Sequence, residues 1–433
     1  MAAPDDAIEF PYRDEELENG LRVILHRDAS TPVVAVHVMY HVGSKDERPG
    51  RTGFAHLFEH LLFQGSEHVA KGEHFRYVQD AGGTGNGTTS FDRTNYYETL
   101  PSNQLALGLW LESDRMGFFA PGITQEKLDN QREVVKNERK QVMDNRPYGR
   151  AGEALLEQSF PEGHPYRHHP IGSMEDLDRA TVEDVHDFFR TFYRPNNATL
   201  VVAGDVEPGA ALEEVDRWFG EIPAGDRPPR REVPEVTSGG VGRTTLEDQV
   251  QVPRVYLSFP APSFRDPGFV TADVLAEVLA GGKSSRLHRE LVYRQRVAGD
   301  VGAAAWPMEA TGMFRIVATG RPGVEAGRLE AGIRETLDGL VADGPTEAEI
   351  EGARNRVRRG ELSTLDNVGD RAGAFAHAAV LRDDPGLVNR ILGEYAAVEG
   401  SAVAELAREA LRPERMAVVR VVPVADAGRE EAA

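Results

Sequence analysis

Residues 53–66 read Gly53-Phe54-Ala55-His56-Leu57-Phe58-Glu59-His60-Leu61-Leu62-Phe63-Gln64-Gly65-Ser66. The apolar density predicts a helix over 53–64, with glycine on either side. On a helix, residues at i and i+4 share a face, as do residues at i and i+3. His56 and His60 therefore aim two imidazoles at one spot, with Glu59 beside them. Zinc takes nitrogen and oxygen ligands in a tetrahedral set, one position of which a catalytic site leaves open for water. Glu59 is then placed to accept a proton from that water, as metal-assisted hydrolysis of a peptide bond requires. The chain holds 13 histidines, and such a spacing arises by chance in roughly a few per cent of comparable chains. The flanks argue against chance. Phe54, Ala55, Leu57, Phe58, Leu61, Leu62 and Phe63 leave almost no wet face, and burying two histidines and a glutamate there is costly without a partner.

Composition limits the alternatives. At 433 residues, with 40% hydrophobic and 27% charged, the chain has material for two or three globular domains. It has no cysteine, so disulfides and thiolate metal sites are excluded, and any metal must be held by His, Asp or Glu. Lys and Arg number 49 against 70 Asp and Glu, a net charge of −21. That balance argues against nucleic acid and anionic membranes as partners. No apolar run is long enough to span a bilayer. The start, Met1-Ala2-Ala3-Pro4-Asp5-Asp6, lacks the pattern of a secretory signal. The expectation is a cytoplasmic protein, or a periplasmic one if a leader has been removed.

A Pro-, Gly- and charge-rich stretch over 221–240 shows no apolar period and reads as a linker. It separates an N-terminal domain, 1–222, from a C-terminal one, 241–433, with 223–240 between them. Leu21–Leu25, Val33–Val42 and Ala198–Ala203 read as strands, and Leu105–Phe119 and Gln125–Met143 as helices. In the second half, Arg254–Phe259 and Met416–Val424 read as strands, and Phe269–Ala280, Val324–Ala342 and Thr346–Ser363 as helices. The order is similar in both halves, which suggests two copies of one α+β unit. A third metal ligand must come from outside the helix over 53–64. The helix from Gln125 carries Glu126, Glu133 and Glu138, and spacing does not choose among them. His164, His168 and His169 cluster between Pro and Gly and read as a solvated loop.

The His-x-x-Glu-His segment resembles the signature of the M16 family of zinc peptidases. Further blocks match in order: GGTGNGTTSFDRTNYYETLP from Gly82, NQREVVKNERKQ from Asn130, YRPNNATLVVAGDV from Tyr193 and GGKSSRLHREL from Gly281. The length is similar to that of the family's short bacterial members. The resemblance implies two homologous α/β-sandwich domains, each a mixed, mainly antiparallel sheet with helices. It implies a Zn2+ ion held by His56, His60 and Glu138, with Glu133 less favoured, and Glu59 as the catalytic base. Gln131 stands where some relatives carry an acidic residue. The block from Gly82 resembles the family's substrate-binding edge strand, with Asn86, Gly87 and Thr88 on its Asn-Ala-x-Thr stretch.

One departure shapes the functional expectation. Active members resembling this chain offer an arginine and a tyrosine from the C-terminal half. Aligned on Ser284-Ser285-Arg286-Leu287, those positions hold Val292 and Gly299. The resemblance thus implies the zinc-bearing subunit of a heterodimer whose related partner supplies the pair, a homodimer being the other arrangement. Its substrates would be short or unfolded peptides taken into a closed chamber. The alternatives are a non-catalytic scaffold subunit and a processing peptidase for basic presequences.

Overall fold

The protein is described by a computed structural model that covers residues 8–234, 236 and 242–424. Six strands form the first sheet: β1 (Arg13–Glu16), β2 (Arg22–Arg27), β3 (Val33–Tyr40), β4 (Thr84–Thr89), β5 (Thr94–Pro101) and β6 (Ala198–Gly204). Their spatial order is β1-β2-β6-β3-β5-β4. β2 and β6 run parallel, and every other neighbouring pair is antiparallel. Five strands form the second sheet: β7 (Arg243–Asp248), β8 (Arg254–Ala261), β9 (Ala298–Pro307), β10 (Gly312–Gly320) and β11 (Ala417–Pro423). Their order is β7-β11-β8-β10-β9, and only β7 and β11 are parallel. The second sheet therefore repeats β2-β6-β3-β5-β4 of the first, strand for strand. The expected duplication of a mixed, mainly antiparallel unit is present, and among the described residues β1 is the one addition.

β3 and β6 are almost wholly buried, as strands covered on both faces must be. Alternation along β3 shows what covers each face. Gly108, in the helix Leu105–Phe118, approaches Val36, and Gly373, in the helix Val368–Arg382, approaches His37. Successive residues point to opposite faces, so the two helices lie on opposite sides of the sheet. In the second unit, Ala151, Ala154 and Leu155 of the helix Ala151–Ser159 form one cluster with Tyr256, Val419 and Val421.

The compact units are consequently not continuous in sequence. The first comprises the described residues up to Asn137, Pro170–Glu232 and Glu361–Leu392; the second comprises Glu138–His169, Val233–Gly360 and Gly393 onward. A division into 1–222 and 241–433 gives each sheet its strands but not its covers. Amphipathic periodicity says that a helix has an apolar face, not which sheet receives it. The linker placed at 223–240 lies partly outside the described residues. No helix among the described residues is long and apolar enough to cross a membrane.

His37 shows what this packing costs at low pH. Its ring is 5% exposed and stacks on Tyr97 at 5.4 Å. Burial, with Arg93 nearby, pushes its pKa down from 6.5 to about 3. The group stays neutral in the fold, so stability is full above about pH 6.5 and erodes as pH falls toward 3. At pH 5 the cost is about 2 kcal/mol. The His37→Phe variant should lose less stability than wild type between pH 7.5 and 5 in urea titrations. Parallel pH profiles would refute this account.

Candidate metal centre

The helix Phe54–Leu61 buries Phe54, Leu57, Phe58 and Leu61, the i, i+3, i+4, i+7 stripe of a core-facing helix. Phe58 sits among aromatic rings: Tyr193 at 4.4 Å, Phe188 at 5.2 Å and Phe119 at 5.3 Å. That packing leaves the other side of the helix to its polar residues. His56 and His60 are half-buried, with ring centroids 4.7 Å apart. Glu59 is 8% exposed.

The helix Gln125–Arg139, of which all but the last two residues fall in the first unit, brings Glu138 to the same place. One ligand atom each from His56, His60 and Glu138 lie within 4.8 Å of one another. Around a tetrahedral zinc with bonds near 2.1 Å, ligand atoms sit about 3.4 Å apart, so small side-chain rotations suffice. Two nitrogens and one oxygen are a donor set that zinc accepts, and the residues fit the ion. Glu133 is exposed and pairs with Lys136 at 3.1 Å. Five residues along a helix are about 140° around its axis, so Glu133 and Glu138 face different surroundings. Gln131 is buried and donates to Asn130 Oδ1 at 3.0 Å.

Glu59 is anchored by a residue that the sequence reading did not single out. Thr89, the last residue of β4, donates from Oγ1 to Glu59 Oε2 at 2.6 Å. β4 is hydrogen-bonded to β5 alone and forms the outer edge of its sheet. Along it Asn86 is exposed and Gly87 is buried against Phe63 and Tyr96. Thr88 Oγ1 donates to Asn95 Oδ1 at 2.6 Å. Arg93 donates to Thr88 O at 3.0 Å and to Asn95 Oδ1 at 2.5 Å. The edge strand and the helix Phe54–Leu61 are thus tied at Glu59. The only sequence signal was an ordinary run of threonines and asparagines.

His74, Glu98 and Glu112 also meet the spacing of a metal group, and all three are buried. Arg115 already occupies that cluster, 3.0 Å from His74 Nε2 and 2.9 Å from Glu112 Oε1. Its guanidinium supplies the cation, and burial raises the pKa of both carboxyls. Of the loop histidines, His164 departs from expectation. His164 is 4% exposed, stacks on Phe160 at 4.6 Å and accepts from the Tyr166 amide at 3.1 Å. Its Nε2 then donates to Pro234 O at 3.1 Å, so it is a packed core group and not solvated.

In the second unit, Val292 is buried within the turn His288–Arg294, and Gly299 lies on β9. Tyr293 is 53% exposed beside His288, and Arg294 pairs with Glu290 at 3.3 Å.

Two family models match the chain: "Insulinase (Peptidase family M16)" over residues 22–165 and "Peptidase M16 inactive domain" over residues 179–357. The helix Phe54–Leu61 and Glu138 lie within the first. The zinc protease PqqE of Helicobacter pylori is 31% identical over 377 residues, covering 86% of this chain and 84% of that protein. The uncharacterized zinc protease YmxG of Bacillus subtilis is 24% identical over 392 residues, covering 90% and 94%. Among solved structures, a protease from Helicobacter pylori superposes with a TM-score of 0.87 at 28% identity, covering 96% of this chain and all of that one. A peptidase M16 inactive domain from Pseudomonas fluorescens superposes at 0.86 with 17% identity, covering 96% and 98%, and shows the fold alone.

Proposed function

The chain belongs to the M16 family of peptidases, and from that premise we propose that it is a zinc-dependent endopeptidase of extended peptides. The observation that carries this reading is the convergence of His56, His60 and Glu138 within 4.8 Å, beside a carboxylate that is not one of the three. His56, His60 and Glu138 would hold the ion. When bound, zinc polarises the scissile carbonyl and lowers the pKa of water. Glu59 accepts the proton of the attacking water and returns it to the departing amine. Thr89, bonded to Glu59 Oε2 at 2.6 Å, fixes the carboxylate's rotation so that the other oxygen serves this exchange.

Substrate class follows from the strand edge. The open side of β4 can take up another main chain by hydrogen bonds, which only an extended backbone presents. Asn86, Gly87 and Thr88 supply that edge, which favours unstructured peptides over folded proteins as substrates. Support for the oxyanion is the missing part. A buried valine and a glycine stand where the family offers an arginine and a tyrosine, and one such donor is worth about 3–4 kcal/mol. We therefore assign the chain as the zinc subunit of a heterodimer, with a related M16 chain supplying the pair.

The experiment is a comparison of chains. The zinc-loaded protein alone should cleave an unstructured fluorogenic peptide at least about 100-fold more slowly than with the related chain added, and chelation by phenanthroline should abolish both rates. Full activity of the isolated chain would remove the partner. Purified protein that takes up no zinc would instead support the scaffold reading.

A further inference from the structure

The metal helix is eight residues long, Phe54–Leu61. A helix this short does not hold itself in place, and its first amides need acceptors from outside. Gly53, the residue before it, has φ +85° and no side chain to cap with. A side chain at this position would also put a Cβ 2.5 Å from Ile171 O. The acceptor comes from Glu47. Its Oε2 takes the Gly53 amide at 3.0 Å and its Oε1 the Ala55 amide at 2.8 Å.

Glu47 is 4% exposed. A buried carboxylate needs hydrogen-bond donors, and here they are amides at the start of a helix. Its own loop is clamped in turn: Arg231 Nη1 donates to Glu47 O at 2.8 Å and Lys45 O at 3.1 Å. The chain entering the helix is held once more at Thr52, whose amide and hydroxyl donate to Asp176 Oδ2 at 3.0 and 2.7 Å. Glu47 differs from that second tether because it grips the helix itself. Both of its oxygens are used, so it fixes axial position and rotation together.

We infer that Glu47 is a positioning residue for the metal centre: it sets the direction in which His56, Glu59 and His60 project. It is not one of the three candidate ligands. The inference rests on the zinc reading above and adds a residue to it. Removing the carboxylate frees two amides and lets the helix shift or turn, which spoils ligand convergence. Outer partners of metal ligands are typically worth 10–100-fold in affinity.

The test uses Glu47→Ala and Glu47→Gln in the full chain. Zinc affinity is measured by competition with a chromophoric chelator, alongside melting of the metal-free proteins. Zinc affinity should fall about 10–100-fold in Glu47→Ala. Glu47→Gln should fall between it and wild type, because its amide keeps one acceptor oxygen. With zinc saturating and the related chain added, kcat should drop while KM for an unstructured peptide stays near the wild-type value. Unchanged zinc affinity with a lowered melting temperature would overturn the inference, since Glu47 would then be merely structural. Should Glu47→Ala fail to fold, Glu47→Gln carries the comparison. A wild-type chain that binds zinc but cleaves no peptide even with the related chain added would sink the peptidase reading and leave this one standing. One that binds no zinc would sink both.

Discussion

Glu59→Gln should bind zinc as wild type does and hydrolyse peptides at least about 1,000-fold more slowly, the scale of a lost general base. That corresponds to about 4 kcal/mol of transition-state stabilisation. The substitution preserves shape, and the amide oxygen can still accept from Thr89 at the position where Glu59 Oε2 now does so at 2.6 Å. What it removes is the capacity to accept and return a proton. Glu59 is 8% exposed in a helix whose neighbours are apolar, so no solvent carboxylate can take its place. The measurement is a pair: zinc stoichiometry by atomic absorption, and kcat on a fluorogenic peptide with the complete assembly. Activity within tenfold of wild type, at equal zinc content, would remove Glu59 from its role as base.

Glu138→Ala should release the metal, where Glu133→Ala should not. Loss of a partner outside the ligand set costs 10–100-fold in metal affinity, so loss of a ligand should exceed about 100-fold. Glu133, exposed and paired with Lys136 at 3.1 Å, is the control on the same helix. Chelator competition on both variants separates them, and circular dichroism verifies that the helix persists. If Glu133→Ala is the variant that loses zinc, the ligand set must be redrawn. This outcome does not depend on any partner chain, because zinc binding is read without turnover.

Much of the fold was legible because strand and helix periods are local. The strand expected at Val33–Val42 is Val33–Tyr40, and the helix expected at Phe269–Ala280 ends at the same two residues. The long helix from Gln125 regularises only to Arg139, then widens through Lys140–Asp144. What sequence could not give was pairing at a distance. Nothing in Val368–Arg382, rich in alanine, names the sheet it covers. The site followed the same rule. His56, Glu59 and His60 sit within five residues and were readable from helix geometry. Glu138 shares a helix with two rival glutamates, and spacing left them equal. Thr89 and Glu47 are common residue types whose roles exist only after β4 and the loop before the metal helix have folded. His164 looked solvated because proline and glycine surround it, yet Phe160 and Tyr166 enclose it.

The exchange of covering segments bears on the order in which this chain can mature. A ribosome releases β1 to β6 by residue 204, while the segment Glu361–Leu392 that completes their unit is still to be synthesised. During that interval the His37 side of β3 has no Val368–Arg382 helix to close it. The usual vectorial economy, in which an N-terminal domain finishes before its successor begins, is denied to this protein. Its first unit matures only near the end of translation, and a premature stop anywhere before residue 361 discards both units and not one.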